Sequence, residues 1–399
     1  MFEYIRRFEK MCFGMFVHFG LYSVFSKGEW AKTQYDVSDE EYENLMGKFN
    51  VSKNWAKNLV HTAKSAGCKY ITLTTRHHDG FSLYDTCGLN EYDAPHSSCG
   101  RDLIREFVKE CNEQGIKPFF YHTLIDWHEK TYFTDMPKYL EYLNKSIEIL
   151  CRNYGPIGGF WFDGMWDRPD SDWQEDRLYG MIRKYQPEAM IINNTGLSAK
   201  GKVGHYQLDS VTFERGKPTF VDNADKPRAG EMCQILNDHW GYARDDLNYK
   251  SIGDIIKDLV DSRKYDCNFL LNVGLKGNGA IKPYEKYFLQ EIGKWIKANK
   301  SFIYNAKSCD IVADNAVMLK DDKYYYAVIY DVPMSANLNV AIGGKVQEIT
   351  VNKNIRKAVW LDNNEKIELL NKNSFKVKPF KYGISMVLRV ARLELELDE

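Results

Sequence analysis

Apolar runs of strand length alternate with amphipathic helical stretches over about 300 residues, and this alternation restricts the fold more than any other feature. Met11 to Gly20 (MCFGMFVHFG) predicts a buried strand ending in His18, and Trp55 to Ala66 a helix that Gly67 stops. Tyr70 to Thr74 is the next strand, running into Thr75-Arg76-His77-His78-Asp79-Gly80. Leu103, Ile104, Phe107, Val108 and Cys111 mark one helical face that ends at Gly115; Lys117 to Tyr121 then leads to His122. Met136 to Tyr154 predicts a longer helix with Pro137 in its first turn. Gly158 to Gly164 (GGFWFDG) is a short apolar run closing on one carboxylate, the pattern of a parallel strand buried on both faces. Helix over Trp173 to Tyr185, strand over Met190 to Asn193 and a weaker strand over Val211 to Phe213, ending in Glu214, follow. Ser251 and Asp254 form a capping-box pair, Cys267 to Val273 is an apolar strand, and Pro283 to Asn299 is a helix. Such βαβ units suit a closed (β/α)8-like barrel; an open doubly wound sheet is the alternative, but no Gly-rich phosphate loop opens any helix.

The texture changes after Ile303. Tyr324 to Tyr330, Val346 to Val351, Ile355 to Leu361, Phe375 to Val377 and Ile384 to Val390 are short β-rich runs separated by turn residues. They predict a small C-terminal antiparallel β-sandwich, giving a catalytic barrel over 1–302 and a second domain over 303–399. A net charge of −1, with 27% charged residues and no basic run, argues against nucleic acid or a membrane as partner. Nine scattered cysteines without a Cys-x-x-Cys pair favour reduced thiols. The N-terminus lacks an apolar signal core, so a cytoplasmic location is the default expectation, a trimmed secreted form being the alternative. The oligomeric state is left open.

The polar residues gather in a telling way. His18, His77-His78, Tyr121-His122, Asp163, Asn193-Asn194 and Glu214 each fall at the C-terminal end of a different predicted strand, and a barrel brings those ends into one pocket. Adjacent His77 and His78 are expected to project to opposite sides of a strand, and no His-x-His or His-Glu-x-x-His spacing occurs, so no metal or other cofactor is expected. A nucleophile elbow of the Gly-x-Ser-x-Gly type is missing as well. What remains is carboxylate chemistry: two carboxyl groups cleave a glycosidic bond, one attacking the anomeric carbon while the other protonates the leaving oxygen. Asp163 is the candidate nucleophile and Glu214 the first candidate acid, with Glu29 second. Asp209 and Glu231 are weaker, since nothing places them at a strand end. His77 and His78 are read as donors to sugar hydroxyls, against the plainer reading of loop histidines bonded to backbone. An aromatic content of 14% offers surfaces for sugar rings and equally fills a core.

These segments resemble the α-L-fucosidases of glycoside hydrolase family 29 over nearly the whole chain. The resemblance is carried by Phe13 to Ser23 with Gly28-Glu29-Trp30, by Thr74 to Leu83 (TTRHHDGFSL), Gly100-Arg101-Asp102-Leu103, Trp161-Phe162-Asp163-Gly164, His239-Trp240-Gly241-Tyr242 and Asn268 to Gly274 (NFLLNVG). It implies a retaining, exo-acting α-L-fucosidase acting on fucosylated oligosaccharides or glycoconjugates without a cofactor. It also implies Asp163 as nucleophile, His18, Glu29, Trp30, His77, His78, Tyr121 and Trp161 as contacts to the fucose ring, Glu214 as acid/base, and Trp240 bordering the sugar's methyl group. Two departures stand out: Asn193-Asn194-Thr195, where many members carry an arginine after Asn-Asp, and Leu275, where a proline is usual. A non-catalytic carbohydrate-binding barrel, or another glycosidase specificity, is the rival expectation; a module that only binds has no need to keep two carboxyls among aromatics.

Overall fold

The alternation closes on itself. In a computed structural model describing residues 2–332, 334 and 347–396, eight parallel strands form a closed barrel in sequence order. They are β1 (Phe13–His18), β2 (Tyr70–Arg76), β3 (Lys117–Thr123), β4 (Gly159–Asp163), β5 (Met190–Asn193), β6 (Ser210–Glu214), β7 (Ala229–Gln234) and β8 (Asn268–Gly274). The register sets their C-terminal ends level: Tyr121 pairs with Trp161, Thr123 with Asp163, Phe162 with Asn193, and His18 with Gly274 across the closing seam.

Helix boundaries follow the local chemistry. Gly67 adopts φ 97° after the helix Trp55–Ala66, a left-handed C-terminal stop that side-chain-bearing residues rarely take. Ser251 and Asp254 do form a reciprocal capping box on the helix Ile252–Lys264. The helix expected from Trp173 starts at Glu175, because Gln174 takes a left-handed φ. The bottom of the barrel is plugged from the chain start: the helix Glu3–Glu9 buries Ile5 and Phe8 in a cluster with Tyr70, Phe119 and Met190. Each such side chain contributes about 1.5–3 kcal/mol on burial.

Strand β7 escaped the sequence reading because Gly230 and Glu231 interrupt any apolar run. Its carboxylate sits inside the barrel, where Glu231 accepts hydrogen bonds from Trp161 Nε1 (2.9 Å) and from the Tyr70 hydroxyl. Asp209, just ahead of β6, accepts from Arg183 and from Lys226 Nζ (2.9 Å), an ion-pair cluster at the strand's beginning, away from the chemistry.

The chain divides into two compact units, Met1–Lys250 with Cys267–Gln290, and Ser251–Asp266 with Glu291–Glu399. The helix expected to end at Asn299 runs Pro283–Asn305, so the 302/303 division expected from composition falls within it. In the second unit the short strands β9 (Lys307–Ser308), β10 (Val317–Lys320), β11 (Tyr325–Ile329), β12 (Glu348–Thr350), β13 (Ile355–Trp360), β14 (Ser374–Lys376) and β15 (Arg389–Leu395) make antiparallel pairs. A five-stranded sheet and the β12–β14 ribbon share one core of Ile329, Ile349, Trp360, Phe375 and Leu393. Val346, the expected start of one of these runs, lies outside the described residues. No helix among them is long and apolar enough to cross a membrane.

Candidate active site

The strand ends of the barrel and the loops that follow them enclose a cavity of about 570 Å³. Strand pleating decides which residues face it. Phe16 and His18 line the cavity with Val17 turned away; Tyr121 does so with His122 turned away; Trp161 and Asp163 do so with Phe162 turned away. His122 bonds instead to the carbonyl of Thr123 (2.7 Å), and Asn193 donates to the Tyr179 hydroxyl (3.1 Å), so these two strand-end residues are structural. The ten residues given a catalytic or sugar-binding role above all line the cavity: His18, Glu29, Trp30, His77, His78, Tyr121, Trp161, Asp163, Glu214 and Trp240. Asn194, expected at a strand end but given no role, lines it too, as do Trp166, Arg215 and Asp238, which were not expected there.

The centre is the carboxyl pair. Asp163 Oδ1 accepts from Trp166 Nε1 (2.9 Å) and Asn194 Nδ2 (3.1 Å), and Oδ2 accepts from the Tyr121 hydroxyl (3.0 Å). Gly164 makes this possible. Its φ of 106° turns the chain straight after the nucleophile candidate, where a Cβ would strike Ile125 at 2.6 Å, and the following turn returns Trp166 to the carboxylate. Burial, and then the charge of Asp163, keep the Tyr121 phenol well above its ordinary range, so it remains a donor.

Glu214 Oε2 accepts from the same Asn194 nitrogen at 2.7 Å. An amide nitrogen directs its two hydrogens about 120° apart, and one bond along each would place the two carboxyl oxygens roughly 5 Å from each other. Burial and the neighbouring Asp163 charge push the Glu214 carboxyl up to about 7, against the pull of Asn194, Arg215 and Lys200. Glu214 therefore holds a proton near neutrality that an exposed glutamate would have lost.

His77 and His78 do not part company as a strand would require, because β2 ends at Arg76. Their rings lie 4.2 Å apart and both line the cavity. His78 Nδ1 is 2.7 Å from Thr123 Oγ1, whose own hydrogen goes to the carbonyl of Ile125 (2.8 Å). The ring is thus the Nδ1–H tautomer, and Nε2 offers a lone pair 3.6 Å from Asp163 Oδ2. Burial lowers its basicity while Asp163 raises it. His18 follows the same logic. Asn272 donates its amide to the Trp240 carbonyl (2.7 Å), so its oxygen faces His18 Nδ1 (2.7 Å) and assigns the proton there. Burial takes His18 down to about 3, so both rings present neutral acceptors to a hydroxyl; for His78 this replaces the donor role expected from the sequence. His77 Nδ1 is buried and has no hydrogen-bond partner among the described residues.

Glu29 reaches across to the loop after β7, where its Oε2 accepts from the Gly241 N–H (2.7 Å), and burial raises its carboxyl. This bond fixes the backbone that carries Trp240, whose ring tilts against His18 at 5.3 Å. The departure at Leu275 has a local reason: its N–H donates to the His18 carbonyl (3.1 Å), which a proline could not do. Among the described residues no cluster of three or more His, Cys, Asp or Glu has metal-holding geometry. A larger cavity of about 650 Å³ opens at the opposite end of the barrel, by Arg7, Lys117 and Glu188, and holds neither member of the carboxyl pair.

A family model described as Alpha-L-fucosidase matches residues 3–301. The chain is 25% identical over 331 residues to the tissue alpha-L-fucosidase of Rattus norvegicus, covering 76% of this chain and 70% of that one. It is 27% identical over 335 residues to the Bos taurus enzyme of the same name, covering 75% and 69%. Among solved structures, alpha-L-fucosidase isoenzyme 1 from Paenibacillus thiaminolyticus superposes with a TM-score of 0.84 at 28% identity, covering 99% of each chain.

Proposed function

The chain belongs to the α-L-fucosidase family of glycoside hydrolases, and from that premise we propose a retaining, exo-acting enzyme that removes terminal α-L-fucosyl groups from oligosaccharides or glycoconjugates. The observation that carries this reading is the single Asn194 nitrogen bonded to both Asp163 (3.1 Å) and Glu214 (2.7 Å). The resulting separation of roughly 5 Å suits a double displacement, whereas inversion leaves about 6.5–9.5 Å for a water.

In the first step Asp163 Oδ2 attacks the anomeric carbon. Oδ1 is already engaged by two donors, Trp166 and Asn194, and Oδ2 by one, Tyr121. The glycosidic C–O bond breaks as Glu214 gives its proton to the departing oxygen, leaving a β-linked fucosyl ester and a Glu214 carboxylate. In the second step that carboxylate takes a proton from water, the water oxygen attacks the same carbon, and Asp163 leaves as the anion. Two inversions return the α-anomer. His18 and His78 read sugar hydroxyls as acceptors, and Trp161 and Trp240 supply apolar walls for the ring and its methyl group.

The test is proton NMR of the sugar first released from an aryl α-L-fucoside. α-Fucose is the expected product; initial β-fucose would overturn retention, and an untouched fucoside would favour a barrel that only binds.

A further inference from the structure

One side-chain amide touches both carboxyl groups, and it cannot turn around. Asn194 Oδ1 accepts from Thr212 Oγ1 (3.0 Å) and from the N–H of Gly196 (3.2 Å), so a flip would set an oxygen against two carboxyls and an NH2 against two donors. Both Nδ2 hydrogens are therefore committed to the pair. The amide is neutral and has no proton to gain or lose in the working range. Under the double-displacement reading above, on which this inference rests, the site holds one negative charge at a time. It lies on Asp163 before the attack and on Glu214 once the ester has formed.

We propose that Asn194 is the positioning residue through which that charge changes hands: one N–H holds the Asp163 anion in the resting site, and the other holds the Glu214 anion while water is activated, with no side chain moving. A cation at this position would favour ionised Glu214 from the start and remove the acid. A neutral donor to both carboxyls avoids that bias.

Other groups bear on the pair. Asp163 also faces Tyr121, Trp166, His78 and, at longer range, His18; Glu214 faces Arg215, Lys200 and the Cys233 thiol. The two histidines are lowered and the thiol raised by burial, which leaves Arg215 and Lys200 as the flanking charges. These lie on the Glu214 side and are untouched by a change at Asn194. Its removal has a signed consequence: Glu214 loses a donor that favours its ionised form, so it ionises at higher pH.

The experiment compares the full chain with Asn194→Ala, Thr212→Val and Thr212→Ser. In Asn194→Ala, kcat/KM for an aryl α-L-fucoside should fall about 10- to 100-fold, the effect of losing a hydrogen bond to a charged group. The alkaline limb of its pH profile, which Glu214 sets, should move upward. Thr212→Val, which removes one of the two donors that orient the amide, should move that limb the same way by less, and Thr212→Ser, which keeps the hydroxyl, should restore the wild-type profile. Lower activity with an unmoved alkaline limb, or a limb that moves downward, would overturn the proposal. If Asn194→Ala does not fold, the two Thr212 variants decide: a Thr212→Val profile identical to wild type defeats it. Carbon-13 NMR titration of the Glu214 carboxyl needs no turnover and should show the same upward move. A wild-type chain that leaves the fucoside intact would therefore defeat the fucosidase reading while the titration still decides whether Asn194 couples the pair.

Discussion

Replacing Glu214 with glutamine tests the acid assignment in both size and sign. The carboxyl sits at about 7 because it is buried beside Asp163. At that value half the molecules carry the proton at pH 7 and roughly one in ten at pH 8, so kcat/KM should fall about fivefold between pH 7 and pH 8 and about tenfold for each unit beyond. The active form is the protonated one, which puts this loss on the alkaline side. Glutamine keeps the side chain's length and an oxygen for the Asn194 N–H, but it has no acidic proton to give. A fucosyl oligosaccharide, whose leaving group is a poor one, should lose about 10²–10⁴-fold, the usual worth of general acid help. A 4-nitrophenyl fucoside should lose far less, since nitrophenolate departs unaided. The decisive assay is kcat/KM for both substrates between about pH 5 and pH 9. In Glu214→Gln the alkaline limb near 7 should vanish from the aryl substrate's profile. If the limb survives, another group sets it, and the buried Glu29, also raised by burial, becomes the acid to test.

Three further outcomes follow from the same geometry. Asp163→Gly should abolish hydrolysis of every fucoside, and added azide should enter the vacated space and give β-fucosyl azide; α-fucosyl azide from this variant would contradict Asp163 as nucleophile. Trp240→Ala should narrow the preference for fucosides over α-L-galactosides, which an apolar pocket holds at about 10²-fold, and an unchanged kcat/KM ratio would remove Trp240 from the methyl wall. Glu231, raised to about 7 by burial against the pull of Tyr70 and Trp161, binds its proton in the folded chain where an unfolded glutamate near 4.3 has released it. Its contribution to stability is thus complete below about pH 4.3 and declines as pH rises through 7, at about 1.4 kcal/mol per unit. Urea unfolding should show wild type losing ground to Glu231→Gln between about pH 5 and 7 and running parallel to it above 8; a pH-independent difference would refute the argument.

The rim of the barrel was legible because strand ends are announced by composition: an apolar run stops where His18, Tyr121, Asp163 or Glu214 begins. Period-two pleating then assigns faces, and the same rule that puts Tyr121 and Asp163 inside turns His122 and Phe162 away. The rule fails once the strand has ended. His77 and His78 follow Arg76 at the end of β2, so their rings turn toward the same cavity and not to opposite faces. Strand β7 was illegible for a different reason. Its Glu231 faces a barrel interior that is polar at that point, so the apolar signal of a buried strand is broken where the barrel contains a hydrogen-bonded carboxylate. Trp166 gave no signal either, since it returns to Asp163 only because Gly164 takes φ 106°.

Asn194 shows where a departure from the family pattern leads. At the end of β5 the sequence offers Asn193-Asn194-Thr195, and an absent arginine reads as a lost donor. Thr195 does not supply one, because its hydroxyl donates to the Ala199 carbonyl (2.7 Å) within its own loop. Asn193, the last residue of β5, turns toward Tyr179, and Asn194 just beyond the strand faces the carboxyl pair. A guanidinium would bring a fixed charge and favour whichever carboxyl it touched more closely. An amide brings two equivalent donors and no charge, so the balance between acid and nucleophile is left to burial and to the two carboxyls themselves. That is consistent with a Glu214 that stays protonated near neutrality despite Arg215 and Lys200 nearby. Asn194→Arg would then lower the alkaline limb of the aryl-fucoside profile below its wild-type position, the opposite direction to Asn194→Ala. A limb that rises in both variants would show that packing around residue 194, and not the charge it presents, governs the ionisation of Glu214.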